Sequence, residues 1–266
     1  ERNHELREEE YGIVVKSKNL VFTAAGNHNK LLENWVGPDQ NYDIFLVYYG
    51  EDEDQFDAYR KSCRWAIQNK GAKIQNFYQT IYEQRLELFN ASEYIFILDD
   101  DIFFDRGVQD INFMFEVARK YSLKLSMPAF HPNVSRISWK ITAADYTPNL
   151  LLRYTSIVEW NAAMVEREAM RRTMEMYHGD IIGWGSPHLA ICANGEGNQT
   201  AYAVVHAVKA INPPGRAQNG GTRELSLIKS YKNRSAVWDG IAREKNCTSQ
   251  VRRFNYKSVY ADESGR

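Results

Sequence analysis

The sequence predicts an α/β fold: a mostly parallel central sheet with helices on both faces, in a single domain. Two observations carry this. Apolar runs alternate with helix-spaced segments through the first hundred residues. The runs are near-continuous rather than alternating, as expected of parallel strands covered on both faces. The 266 residues, 44% hydrophobic and 25% charged, also match an average globular domain with ample core.

Asn19 to Gly26 is the first buried strand, ending in the small residues Ala24, Ala25 and Gly26. A helix follows through Leu31, Leu32 and Trp35, and Tyr42 to Gly50 is the second strand. The acidic stretch from Glu51 to Asp57 opens a helix running through Tyr59, Cys63, Trp65 and Ile67. Phe77, Ile81, Tyr82, Arg85, Leu86 and Leu88 have helical spacing. Tyr94 to Leu98 is the third strand, stopped by Asp99-Asp100-Asp101. Downstream, residues 108 to 121 read as helix, Leu123 to Ala129 as strand and 131 to 150 as a polar connection. Thr155 to Ala163 reads as strand and Val165 to Tyr177 as helix. Gly183-Trp184-Gly185-Ser186-Pro187 is a loop, and Pro187 suits the start of a helix over His188 to Ala193. Tyr202 to Ala207 is a late strand. The expected organisation is an N-terminal extension (1–17), one domain over 18–212 with halves meeting at 105/106, and a C-terminal segment over 213–266.

Ligands of open parallel sheets sit outside the carboxyl ends of the strands. Here those ends carry Ala25-Gly26, Tyr49-Gly50 and Asp99-Asp100-Asp101, so all three face one crevice.

Charge excludes some classes and separates two regions. Lys and Arg number 33 against 34 Asp and Glu, so no overall basic field marks a nucleic-acid binder. The stretch from Pro214 to Arg266 nevertheless carries 11 Lys/Arg and 5 Asp/Glu, which leaves the rest acidic. That stretch reads either as a solvated C-terminal appendage or as a basic lid closing over an anionic ligand, joined through Asn212-Pro213-Pro214-Gly215 and Asn219-Gly220-Gly221. No apolar run approaches the roughly 18 residues of a membrane span. The polar start, Glu1 to Glu10, is not a signal peptide. The compartment stays open between the cytoplasm and, with an anchor outside this chain, the Golgi lumen. Cys63, Cys192 and Cys247 are too few and scattered for a disulfide framework or zinc site, and are read as thiols. Asn90, Asn133, Asn198, Asn233 and Asn246 head Asn-x-Ser/Thr sequons, which matter only in a secretory lumen.

Three carboxylates in a row at a strand end raise one another's pKa unless something neutralises them. A hard divalent cation does so, and Mg²⁺ or Mn²⁺ binds carboxylate oxygen together with waters and substrate phosphates. An Asp-x-Asp after an apolar strand is thus suited to hold a metal–diphosphate unit.

Tyr94-Ile95-Phe96-Ile97-Leu98-Asp99-Asp100-Asp101-Ile102 resembles the strand and Asp-x-Asp motif of the GT-A nucleotide-sugar glycosyltransferases. Glu159-Trp160-Asn161-Ala162-Ala163-Met164-Val165, a helix, then Gly179-Asp180-Ile181-Ile182-Gly183-Trp184-Gly185 resembles their acceptor-side region. Within that class the chain looks most like the little-characterised DUF707 family, with a similar aromatic strand, Val158-Glu159, and Trp184-Gly185 after an Asp. The resemblance spans roughly residues 18 to 212 and makes 18–105 the nucleotide-sugar half and 106–212 the acceptor half.

The resemblance implies roles. Asp101 would be the principal metal ligand, with Asp99 on the metal or the ribose and Asp100 beside them. Ala24, Ala25, Gly26, Tyr49 and Gly50 would bound the nucleotide pocket, and Arg85 would reach a phosphate. His206, at a strand end, would complete the Mn²⁺ or Mg²⁺ site. Trp160 and Trp184 would meet the acceptor sugar. Inverting members place acidic residues after Trp-Gly as general base, but here those positions read Ser186-Pro187-His188. Glu159, Asp180 and His188 remain as bases, unless the enzyme retains configuration and needs none. The expected function is transfer from a nucleoside-diphosphate sugar, a UDP-sugar, to a glycan hydroxyl. The rivals are a metal-dependent nucleotidyltransferase or phosphohydrolase, and a non-catalytic sugar-binding module on a degenerate transferase fold. Against the first stands the short, Arg-free segment Ala24-Ala25-Gly26-Asn27-His28, and against an aspartyl phosphatase the late place of the Asp-x-Asp.

Overall fold

A computed structural model describes residues 17–27, 31–214, 228 and 231–261. The first half runs β1 (Asn19–Ala25), α1 (Leu31–Asn34), β2 (Asp43–Tyr48), α2 (Glu53–Ser62), β3 (Trp65–Gln68), α3 (Lys73–Phe77), α4 (Leu86–Ala91) and β4 (Tyr94–Asp99). A π-helical turn, Tyr78–Glu83, continues α3. The second half runs β5 (Phe103–Phe104), α5 (Val108–Lys120), β6 (Leu125–Phe130), β7 (Leu150–Thr155), β8 (Ala162–Glu166), α6 (Arg167–Glu175), α7 (Ser186–Asn194), β9 (Tyr202–Ile211), α8 (Arg234–Glu244) and β10 (Asn255–Tyr260).

One sheet holds these strands in the order β10-β7-β9-β6-β8-β4-β1-β2-β3, with β5 pairing β9 at its side. β3, β2, β1 and β4 run parallel, as the uninterrupted apolar runs require. Every residue of β1 and β2 is buried. β8 is antiparallel to both β4 and β6, and β6 is parallel to β9. The strands β4, β6 and β9 therefore all point toward the end that carries Asp99. Side-chain caps start two helices: Asp52 accepts from the Gln55 amide at 3.1 Å, and Glu166 from Glu168 and Ala169 at 3.0 and 2.9 Å. The α/β fold class expected from the sequence is the one observed.

Three local expectations are corrected. Trp65 and Ile67 are not the tail of a helix; α2 ends at Ser62, and Trp65–Gln68 pairs with β2 as an edge strand. The acidic strand is therefore fourth in chain order. The run Thr155–Ala163 is not one strand: β7 ends at Thr155, β8 begins at Ala162, and a buried connection lies between. Full burial makes that connection as apolar as a strand.

Cys192 and Cys247 are not thiols. They form a disulfide across 55 residues of sequence, while Cys63 is free and buried. The bond ties α7 to the segment after α8. That C-terminal region is further held by β10, which pairs antiparallel with β7, and by Trp238, which is fully buried. The extension up to residue 16 and the Asn219-Gly220-Gly221 connection lie outside the described residues. Among the described residues, no helix is long and apolar enough to cross a membrane. Replacing Cys192 and Cys247 together by serine is expected to cost about 2–4 kcal/mol, by releasing a long loop in the unfolded chain. A urea midpoint that does not move relative to the oxidised parent would contradict this.

Candidate active site

The parallel register brings the predicted crevice residues together. Ala24 pairs with Asp99 and Ala25 with Tyr48, so Gly26, Tyr49 and Asp100 share one level beyond the strand ends. The Gly26 amide donates to Asp100 Oδ2 at 2.9 Å, and the Tyr49 hydroxyl lies 3.5 Å from the same oxygen. The Tyr59 hydroxyl donates to the Gly26 carbonyl at 3.0 Å. A Cβ on Gly26 would stand 2.9 Å from the Tyr49 ring, so a larger residue there would have to move the end of that side chain. Asp100 is buried, and burial pushes its carboxyl up to about 7 against the pull of the Gly26 amide. It braces the crevice wall.

Asp99 is half-exposed and meets a cation that sequence reasoning missed. Lys73 Nζ lies 2.6 Å from Asp99 Oδ1 and 2.8 Å from the Trp160 carbonyl oxygen. The Lys73 side chain is largely buried, at 14% exposure. It opens α3, just beyond the carboxyl end of β3. Its place after a parallel strand was the available signal, and reading β3 as helix hid it. Arg85, by contrast, donates to the Thr80 carbonyl at 3.0 Å and lies over the Phe45 ring.

The second half reaches the same place through residues 159–161. The Asp99 amide donates to the Asn161 carbonyl at 2.7 Å. Beside it, Trp160 Nε1 and Asn161 Oδ1 are buried with no hydrogen-bond partner among the described residues. Buried polar groups are normally paired, and this donor and acceptor belong to the two residues whose backbone carbonyls hold Lys73 and Asp99.

The remaining predicted residues differ in availability. Glu159 is buried, and its carboxylate accepts from the Trp139 amide at 3.1 Å, Thr142 Oγ1 at 3.2 Å and Asn161 Nδ2 at 3.3 Å. Burial raises its pKa, opposed by hydrogen bonds from Thr142, the Trp139 amide and Ser138 and by Arg253. Asp180 is exposed. Its turn touches α3, since Gln75 donates to the Gly179 carbonyl at 2.5 Å. Trp184 is 40% exposed, whereas Trp160 is buried.

His188 and His206 are both buried, and each accepts an amide hydrogen bond at Nδ1, from Val251 at 3.2 Å and from Asp145 at 3.1 Å. A neutral imidazole that accepts at Nδ1 carries its proton on Nε2. Each ring thus already meets a donor at Nδ1, while the buried His206 Nε2 has no partner among the described residues.

The candidate cation ligands are Asp99, the last residue of β4 and paired with Lys73, and Asp101 on the turn after it. Among the described residues, no group of three or more His, Cys, Asp or Glu side chains is placed to enclose a metal. Two carboxylates fit Mg²⁺ or Mn²⁺ held jointly with waters and substrate phosphates, the usual arrangement for such ions.

Burial also holds both histidines neutral, down at about 4 against an ordinary 6.5. Arg253 and Arg153, respectively, add to the burial effect. The unfolded chain thus binds more protons than the folded one between those values, so stability is complete above 6.5 and is lost as pH falls toward 4. Asp100, held up at about 7, binds protons on folding over the same range and opposes this loss, so the parent is compared with a His188→Gln variant: its melting temperature is expected to fall more between about pH 7 and about pH 5 than the variant's, and equal falls would contradict the assignment.

No protein-family model and no curated protein sequence matches the chain. Solved structures do. Staphylococcus aureus TarS aligns over 86% of this chain and 42% of its own, at 9% identity and a TM-score of 0.50. Its residues 1–349 align over 83% and 72%, again at 9% identity and 0.50. The same portion in complex with UDP-GlcNAc aligns at 8% identity and a TM-score of 0.47. The chain spans less than half the length of the TarS chain that it matches first. A likeness at this identity concerns architecture alone: the chain shares the α/β fold of these TarS structures.

Proposed function

We propose that the chain is a metal-dependent glycosyltransferase that takes a nucleoside-diphosphate sugar, a UDP-sugar, and passes the sugar to a glycan hydroxyl. The observation that carries this is Asp99 at the strand-end crevice, paired with Lys73 and held by its amide to the Asn161 carbonyl, while Trp160 Nε1 and Asn161 Oδ1 on the same segment are buried without a partner among the described residues. UDP and the likeness to the DUF707 family rest on the sequence motifs alone.

In this reading the small residues Ala24, Ala25 and Gly26 leave room for the nucleotide against Tyr49 and Gly50. Asp99 and Asp101 hold Mg²⁺ or Mn²⁺, which supplies Lewis-acid stabilisation of the departing diphosphate. Lys73 fixes Asp99 relative to Trp160, so the donor and acceptor halves keep one geometry. Trp160 Nε1 donates to a sugar or phosphate oxygen, and Asn161 Oδ1 accepts from a sugar hydroxyl. Trp184 offers an exposed face for the acceptor ring. Asp180, exposed and facing His178 at 3.6 Å, is the carboxylate we assign to accept the acceptor's proton, because Glu159 is buried and already accepts three hydrogen bonds and both histidines accept an amide at Nδ1.

The same findings favour a second reading, a sugar-binding module without turnover, since only an exposed turn carboxylate is left as base. UDP release from a panel of UDP-sugars with Mn²⁺ separates the two. Slow release from one donor, lost on chelation, supports the transferase. Binding of a donor without any release supports the module. Neither binding nor release sinks both.

A further inference from the structure

The disulfide and three of the sequons meet at one end of the molecule. Asn90 lies four residues before β4 and Asn198 four before β9. Both strands run toward the Asp99 end, so both asparagines sit at the opposite end, away from the crevice. Asn246 joins them through two links. Its neighbour Cys247 is bonded to Cys192 on α7. Thr248 Oγ1 donates to Glu196 Oε2, in the turn between α7 and β9, at 2.7 Å.

Asn90 and Asn246 are exposed and Asn198 is half-exposed. Where these side chains are engaged, it is through oxygen. Asn90 Oδ1 accepts from Arg171 at 2.8 Å, and Asn198 Oδ1 from the Thr200 amide at 3.2 Å. The Nδ2 atoms, which a glycan would use, are committed to none of these bonds. Asn246 adopts a left-handed turn, with φ of 55°, immediately after the last turn of α8. Protein disulfides form and persist in oxidising compartments, and those same compartments are where sequons become modified.

We infer that the chain is a glycoprotein of an oxidising lumen, carrying N-glycans at Asn90, Asn198 and Asn246 on the end opposite the crevice. Each modification forms a bond from Asn Nδ2 to the anomeric carbon of a lipid-diphosphate-linked oligosaccharide. The anomeric carbon–phosphate bond breaks, the diphosphate stays on the lipid, and the amide proton is released. The cluster leaves the Asp99–Lys73 region clear of carbohydrate, so glycans and a donor ligand occupy the molecule together. The glycan sites hold whether or not the transferase reading does; their compatibility with a donor rests on that reading.

The test uses protein isolated from its own cells. Peptide-N-glycosidase F should lower its mass and convert Asn90, Asn198 and Asn246 to aspartate. A non-reducing peptide map should recover Cys192 joined to Cys247. Enzymatic removal of the glycans should leave the thermal shift with Mn²⁺ and UDP unchanged. A mass that glycosidase does not alter, free thiols at Cys192 and Cys247, or glycan confined to Asn133 and Asn233 would each overturn the inference.

Discussion

Asp101→Ala is expected to lower donor turnover by at least about 100-fold in kcat/KM, the scale of removing one electrostatic contact to a developing charge. Asp101 stands on the turn between β4 and β5, outside the core, and is only partly buried. Its loss should therefore cost little stability, so activity and melting temperature ought to separate. Asp101→Asn keeps the shape and removes the charge. Both variants should lose the Mn²⁺-dependent part of the rate to a similar degree, because a neutral amide is a poor ligand for a hard cation. Lys73→Met is the informative partner. It leaves Asp99 without its cation and loosens the tie to the Trp160 carbonyl. A pair removed together with Asp101 should show non-additive losses if the two act on one diphosphate. Steady-state UDP release measures all of these, and an Asp101→Ala variant that turns over at the parental rate would remove the metal–diphosphate mechanism.

Trp238→Ala should destabilise the fold by about 3–5 kcal/mol, the usual cost of emptying a large aromatic site in a core. Trp238 is fully buried within a small cluster with Ile181, Leu189, Ile241 and Ala242. Its Nε1 donates to the Ser249 carbonyl at 2.6 Å, and its ring stacks on His188 with centroids 6.2 Å apart. It also backs Gly185, where φ is +98° and a Cβ would stand 2.8 Å from the indole. That glycine ends the loop carrying Trp184, so the cavity would loosen the loop as well as the helix pair. Trp238→Phe fills part of the space, loses the Ser249 bond, and should cost roughly half as much. Denaturant unfolding reads both. A loss below about 1 kcal/mol for the alanine variant would show that the C-terminal helix is dispensable to the fold.

Much of this site was legible before any coordinates. Small residues at the end of β1 and carboxylates at the end of β4 read directly as one crevice, because parallel strands carry their ends to the same side. Other features were hidden by local resemblance. Trp65–Gln68 looks like the continuation of an amphipathic helix, and its strand pairing comes from β2 rather than from its own composition. With β3 misread, Lys73 had no reason to stand out. Residues 156–161 looked like strand because burial, not extension, makes them apolar. Cys192 and Cys247 gave no spacing signal, since nothing in a chain announces which helices will be neighbours.

Sequence by itself determined the α/β class, the buried strands and the acidic turn, because hydrophobic period and small-residue ends are local properties that burial reads directly. Only the tertiary structure decided which polar atoms were already spoken for. The partner of Asp99 lies 26 residues away and the amide on His188 lies 63 away. Whether a histidine can take a proton or a metal depends on that partner, and the partner is fixed by folding rather than by the position of a motif.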